Sequence, residues 1–358
     1  MNKPSNAKRA PTRKRMASLA LTAAVITTTT GAVVATTTPA SAASTGPTLV
    51  VYSAQGYDSA ETTAFQKATG IPVTLDDDST GPLLEKVEAE KNNPKWGLLW
   101  VDGATAFALL DEQDLLMKGW EPMIDWNAQG KAAVPADKSY VPTGLTMAGT
   151  MVYEPKEVPD PPSTWQALLG SKWDNLVGMN DPAVSGPTYP FVAGMMNYLG
   201  GVAQGEKYYE GLAGNGLQIN LTNGNTLEAL EAGIIKIALI QSSAGIGAGL
   251  KTHGEVKVKF LKPVTSLPSA IGIDAKAPKA VQAEAEKFVE FVLSAQGQKI
   301  MQSGDPTGDS LYWPVVQGVK PLPALPPLSS IPVQNINPYT WGAREETINA
   351  WFTDNIIE

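Results

Sequence analysis

Between residues 48 and 110 the chain alternates three times between a short apolar run and a helix-length segment, and few folds accept that pattern. Thr48–Ser53 is apolar, β-rich and bounded by Gly46-Pro47 and Gly56, which reads as a buried strand. Ala60, Ala64, Phe65 and Ala68 recur on one face of a segment that Asp58 opens and Gly70 stops, the pattern of an amphipathic helix. Ile71–Leu75 reads as a second strand and Pro82–Asn92 as a second helix with Leu84 and Val87 inward. Gly97–Val101 is a third strand and Ala104–Leu110 a third helix. This spacing implies parallel βαβ units. In open parallel sheets a ligand sits at the carboxyl ends of the strands. Those ends carry Ser53, Ala54 and Gln55, then Ser79, Thr80 and Gly81, then Asp102 and Gly103.

The second half keeps the theme with looser spacing. Asn175–Met179 reads as a strand, and the loop Asp181–Thr188 leads into the apolar segment Phe191–Leu199. Gly186 reads as the N-cap and Pro187 as the first helical residue, where a missing N–H costs nothing. Such a start leaves backbone N–H groups free and partially positive, with the Ser185 and Thr188 hydroxyls beside them. Ser79-Thr80-Gly81-Pro82 repeats the device in the first half. Two such starts suggest two lobes closing on one polar or anionic ligand. The plainer reading of each is that Gly-Pro simply starts a helix. Asn225-Thr226 reads as the cap of a helix ending at Gly233, Ile234–Ile240 as a buried strand, and Gln241–Gly249 as a flexible glycine-rich connection. Leu145–Tyr153 reads as a strand leaving the first lobe and Ser269–Ile273 as one returning to it. Val281–Leu293 is a strongly amphipathic helix, and 305–343 is a proline-rich wrap.

Composition removes several functions. Residues 1–42 have a basic start, an apolar middle and Ala40-Ser41-Ala42, which together read as an export signal. The 316 residues that follow carry 21 basic against 35 acidic side chains, a net charge of −14, which disfavours nucleic acid and anionic membrane. That length favours two domains. Their one arginine, Arg344, leaves little bidentate grip for a carboxylate or phosphate. No cysteine occurs, so disulfides, thiol catalysis and a lipidated N-terminal cysteine are out. The single histidine, His253, stands in a Thr-His-Gly loop without a Gly-x-Ser-x-Gly elbow, and no cluster has zinc spacing. Asp76-Asp77-Asp78 reads as a solvated acidic turn, and Tyr52 and Trp100, lying in strands, as core.

The order of these elements resembles one family. The likeness runs from Leu49-Val-Val-Tyr-Ser-Ala-Gln-Gly56 and Phe65-Gln-Lys-Ala-Thr-Gly-Ile71 through Trp100-Val-Asp-Gly103 and Met151-Val-Tyr-Glu154. It continues in Asp181-Pro182 with Ser185-Gly186, Ala229-Leu-Glu-Ala-Gly233 with Ala238-Leu-Ile240, and Phe288-Val-Glu-Phe-Val292-Leu-Ser-Ala-Gln-Gly297. These residues resemble the periplasmic substrate-binding proteins of ABC importers, in the ferric-ion and phosphonate-binding (type 2) branch. The resemblance implies an α/β fold of two lobes with mixed, mainly parallel sheets joined by two crossing strands, closing on a ligand by hinge motion. It places the first lobe at 43–148 plus 265–312 and the second at 149–264 plus 313–358.

The departures bear on the ligand. The tyrosine pair of ferric-binding members falls at Gln241-Ser242-Ser243-Ala244, a histidine many of them carry falls near Gly56, and an anion-gripping arginine falls near Gly149. Ferric binding then recedes. What remains is a set of hydroxyls and backbone N–H groups, with Ser242 and Ser243 in the second lobe facing Asp102 in the first. The expectation is a small polar solute, anionic like a phosphonate or phosphate ester, or else a polar organic cation held by Asp102 and Asp181. No cofactor and no resident metal are called for. The partners implied are the ligand and the permease subunits in the membrane, with the protein a soluble periplasmic monomer. An alternative of another class is a secreted hydrolase working through paired carboxylates.

Overall fold

The computed structural model describes residues 46–305 and 311–358, so the expected export signal at 1–42 lies outside the described residues. The alternation expected at the start is present: β1 (Leu49–Ser53), α1 (Asp58–Thr69), β2 (Val73–Asp77), α2 (Thr80–Glu90), β3 (Leu98–Asp102) and α3 (Ala104–Glu112). Gly70 closes α1 in the left-handed conformation, at φ 74°, where a glycine meets no Cβ penalty. Strands β2 and β3 flank β1 in parallel, Val51 pairing with both Leu75 and Leu98. A short α4 (Ala128–Ala133) precedes β4 (Val141–Ala148) and β5 (Thr150–Tyr153).

The next stretch builds a second sheet. It holds β6 (Val177–Asn180), α5 (Thr188–Leu199), α6 (Val202–Gly214), β7 (Gln218–Asn220), α7 (Asn223–Glu231), β8 (Ile237–Ile240), α8 (Ser242–Lys251) and β9 (Lys257–Lys259). The chain then returns through β10 (Val264–Ile273), α9 (Lys279–Val292) and α10 (Ala295–Met301), and ends with β11 (Val333–Gln334), α11 (Pro338–Gly342) and α12 (Glu345–Phe352). The first sheet runs β11-β10-β3-β1-β2 with β4 against β10; the second runs β7-β6-β8-β5-β9. Both mix parallel and antiparallel pairs.

Two connections cross from sheet to sheet. Strand β4 pairs with β10 in the first sheet, and β5 pairs with β8 and β9 in the second. The break between them is Gly149, at φ 67°, where an added Cβ would stand 1.8 Å from Cδ2 of Phe191. Only glycine fits that turn. The return crossing is longer than the sequence implied, because β10 begins at Val264 rather than Ser269. Its Pro268 donates no ladder hydrogen bond, and its carbonyl instead accepts the Gly103 N–H at 2.9 Å.

Three expectations change. Gln241–Gly249 is not a flexible connection, because Ser242 opens the helix α8. Its glycines let that helix lie on the second sheet: a Cβ at Gly245 would fall 2.5 Å from Val152 Cγ2, and one at Gly249 would fall 3.0 Å from the Val256 carbonyl oxygen. Helix α7 starts at Asn223 behind a Thr222 cap, whose hydroxyl accepts the Asn225 N–H. Helix α5 starts at Thr188 with Pro187, not Gly186, as its cap. Aromatic pairs fill both cores, Tyr57 edge-on to Trp100 and Phe65 edge-on to Phe288 (both 5.1 Å) by the first sheet, and Trp165 tilted on Phe191 (5.3 Å) by the second. Of the C-terminal segment, β11 joins β10, and Phe352 of α12 packs on Tyr209 of α6.

Candidate functional site

The carboxyl ends of β1, β2 and β3 face the starts of α5, α7 and α8 across a cavity of about 430 Å³. Seven of the residues expected at the site line it: Ala54, Gln55, Ser79, Thr80, Asp102, Ser185 and Gly186. The other six are placed elsewhere. Ser53 is fully buried beneath, its Oγ accepting the Gln55 N–H at 3.1 Å. Gly81 donates its N–H to the Val184 carbonyl at 3.1 Å. Gly103 lines a separate cavity, shared with Leu145, Met147 and Pro268 of the crossing ladder. Thr188 is buried with its N–H on the Ser185 carbonyl. Ser242 Oγ lies 2.7 Å from Thr146 Oγ1 and accepts the Met147 N–H, and Ser243 is fully buried.

Asp102 organises the cavity. It ends β3, is 7% exposed, and is held by neutral donors. Gln55 Nε2 donates to its Oδ1 at 3.1 Å; Gln241 Nε2 and the Tyr312 hydroxyl donate to its Oδ2 at 2.7 and 2.8 Å. Among the described residues no Lys or Arg pairs with it. Burial pushes its carboxyl above the usual range, against the pull of those hydrogen bonds.

The network continues into the second sheet. Asn223 Nδ2 donates to Gln241 Oε1, and Asn180 Nδ2 donates to Asn223 Oδ1 and Ser185 Oγ. Thr226 Oγ1 returns a bond to Asn180 Oδ1 at 2.6 Å. A line of hydrogen bonds thus runs from the end of β3 to the end of β6, and the loop before α5 hangs on it. Sequence reasoning placed no site role on Gln241, Tyr312 or Asn223. The nearest signal was Gln241, the last residue before the Ser242-Ser243 pair.

The two walls touch. Besides the Gly81–Val184 hydrogen bond, a Cβ at Gly186 would fall 2.2 Å from Thr80 Oγ1, and a Cβ at Gly81 would fall 2.0 Å from the Ala183 carbonyl oxygen. The two Gly-Pro helix starts do meet, yet several of the N–H groups around them are engaged. Ser79 N–H bonds Asp78 Oδ1 at 2.7 Å, Gly81 N–H bonds Val184, and the turn from Asp181 to Ser185 closes on itself. Asp76–Asp78 does not stand apart as a solvated turn. Asp76 and Asp77 belong to β2, Asp77 and Asp78 line the cavity, and burial together with its two acidic neighbours raises the Asp77 carboxyl.

The second cavity is larger, about 820 Å³, and Leu145, Met147, Pro190, Pro268 and Ile331 form much of its wall. Among the described residues it gathers no charged side chain, so the 430 Å³ cavity is the better candidate. Among the described residues no three His, Cys, Asp or Glu are grouped as metal ligands, and no helix is long and apolar enough to cross a membrane.

Comparison with known proteins agrees with this architecture. A periplasmic protein of Salmonella paratyphi A, named for binding 2-aminoethylphosphonate, is 23% identical over 269 residues, 70% of this chain and 75% of that one. The crystal structure of iron-bound HitA from Pseudomonas aeruginosa superposes with a TM-score of 0.71 at 20% identity, covering 85% of this chain and 98% of that one. AfuA from Actinobacillus pleuropneumoniae, with fructose-6-phosphate bound, reaches a TM-score of 0.76 at 17% identity, covering 86% and 98%. The fold is that of the type 2 periplasmic binding proteins. Residues 60–327 match the family model described as bacterial extracellular solute-binding protein, and the chain belongs to that family.

Proposed function

We propose that this protein is the receptor of an ABC importer. It captures a small polar solute in the 430 Å³ cavity, closes its two lobes on it, and delivers it to permease subunits in the membrane without altering it. The observation that carries the reading is the Asp102–Gln241 hydrogen bond, which runs from the first sheet to the second through the wall of the cavity. A solute bound there touches both lobes and therefore favours their closed arrangement. The names of the relatives fit, since they speak of a phosphonate, a sugar phosphate and iron, all small and polar. In this reading residues 1–42 direct export, the protein acts in the periplasm as a monomer, and the lobes divide near Gly149 and Val264.

Native mass spectrometry of the purified protein, followed by calorimetry with the solute found, tests the proposal. A retained solute should bind at one site and reduce the radius of gyration in small-angle scattering. Hydrolysis of a generic glycoside, lost in Asp102→Asn, would replace a receptor with an enzyme.

A further inference from the structure

We propose that the solute taken by this cavity is a small organic ammonium compound, one with N–H donors on a primary amine, seated against Asp102. The inference rests on the receptor reading above and names its substrate class. Asp77, Asp78, Asp102 and Asp305 line the cavity, and among the described residues no Lys, Arg or His does. An anionic solute would enter a wall of its own sign; an ammonium group finds the opposite one.

Asp102 makes the argument specific. A buried carboxylate without a cationic partner is costly, and hydrogen bonds from two amides and a phenol offset only part of that cost. The missing partner is a positive charge, and the open side of the carboxylate is the cavity. Gln55 adds an independent sign. Its Nε2 is committed to Asp102, which leaves its Oε1 as an acceptor with no donor, in a side chain 1% exposed at the cavity wall. Acceptors in want of donors call for a ligand rich in N–H groups.

Two of the N–H donors that could hold an anion are already engaged. At the start of α2, Ser79 N–H bonds a carboxylate and Gly81 N–H bonds the opposite wall. Among the described residues the one aromatic side chain lining the cavity is Tyr312, whose hydroxyl is bound to Asp102. A quaternary ammonium would need a cage of aromatic faces, so the site suits an amine that donates hydrogen bonds. Burial raises the Asp102 carboxyl, and an ammonium beside it would favour the charged form, so affinity should fall as the medium is acidified.

Calorimetry with matched pairs tests this: 1,4-diaminobutane against butane-1,4-diol, and 2-aminoethylphosphonate against ethylphosphonate. At least one amine should bind at least about 100-fold tighter than its amine-free counterpart, and Asp102→Asn should cost it on the order of 100-fold. Asp78→Asn changes an exposed residue at the rim and leaves the fold intact, and it should weaken the amine several-fold. Ethylphosphonate or fructose-6-phosphate binding tighter than either amine, with Asp102→Asn neutral, would overturn the substrate class and leave the receptor standing. No binding by any of these compounds or by a co-purified solute, with no compaction in scattering, would overturn both.

Discussion

Gly81→Ala isolates the contact between the two walls of the cavity. Gly81 lies in the first turn of α2 with an ordinary helical backbone, so alanine causes no local strain. The added Cβ would stand 2.0 Å from the Ala183 carbonyl oxygen, 3.0 Å from its carbon and 3.1 Å from Val184 Cα, all backbone atoms of the opposite loop. They cannot rotate away, so the walls must part by about an ångström. Parting them lengthens the Gly81–Val184 hydrogen bond, now 3.1 Å. Overpacking of this kind costs about 1–3 kcal/mol and the hydrogen bond about 0.5–1.5 kcal/mol. The sum, about 1.5–4.5 kcal/mol, falls only on the closed arrangement. Alanine meanwhile favours α2 itself by up to ~1 kcal/mol, in the open and closed forms alike. Affinity for the bound solute should therefore drop by about 10- to 1,600-fold, while the ligand-free melting temperature stays level or rises. Calorimetry gives the first number, a thermal melt the second, and scattering should show that ligand no longer compacts the variant. Unchanged affinity would refute the reasoning. So would a melting temperature lowered by several degrees, because the contact would then belong to the fold and not to closure.

Other substitutions separate site from scaffold. Ser242→Ala removes the hydroxyl shared by Thr146 Oγ1 and the Met147 N–H, both buried, and should cost about 1–3 kcal/mol in urea unfolding with affinity changed less than about threefold. Gly149→Ala forces a left-handed residue and a Cβ into the Phe191 ring, and should cost about 2–4 kcal/mol, read as a lower urea midpoint or a loss of soluble protein. Glu61 is fully buried with neither carboxylate oxygen bonded, and burial raises its carboxyl to about 9. The folded state then holds a proton that the unfolded state releases from near the ordinary value of 4.5 upward. Stability from this group is full below that value and is lost as pH rises toward 9, by up to ~1.4 kcal/mol per pH unit. Glu61→Gln should flatten that loss in unfolding curves taken from pH 5 to 8; an unaltered slope would show that Glu61 is not its source.

The first sheet was legible because its signals are local. Leu49–Ser53, Leu98–Asp102 and Lys279–Val292 fall within two residues of the runs read from apolar periodicity and glycine stops. Gln241–Gly249 failed for a reason that lies in the second sheet. Glycines at 245 and 249 look like a loop until Val152 and Val258 are brought up against the first and Val256 against the second. Packing then outweighs poor helix propensity. The one-residue shift of the α5 start is a tertiary effect as well, since Gly186 is held at van der Waals distance from Thr80 and Asp102 rather than free to cap.

The charge of the site was the part least open to sequence reasoning. Asp102 stood out as a strand end, but its donors lie 47, 139 and 210 residues away in the chain. Counting Gly-Pro helix starts pointed to an anion, because a helix start carries free N–H groups. That inference holds only while those groups stay free. Here one is taken by the Asp78 side chain and another by the facing wall, so the same two helix starts that suggested an anion serve to hold the lobes together. With those donors removed from the count, the carboxylates decide the sign of the cavity. Asp102, supported by neutral groups from both sheets and matched by no cation among the described residues, is arranged as a receptor for charge it does not itself supply.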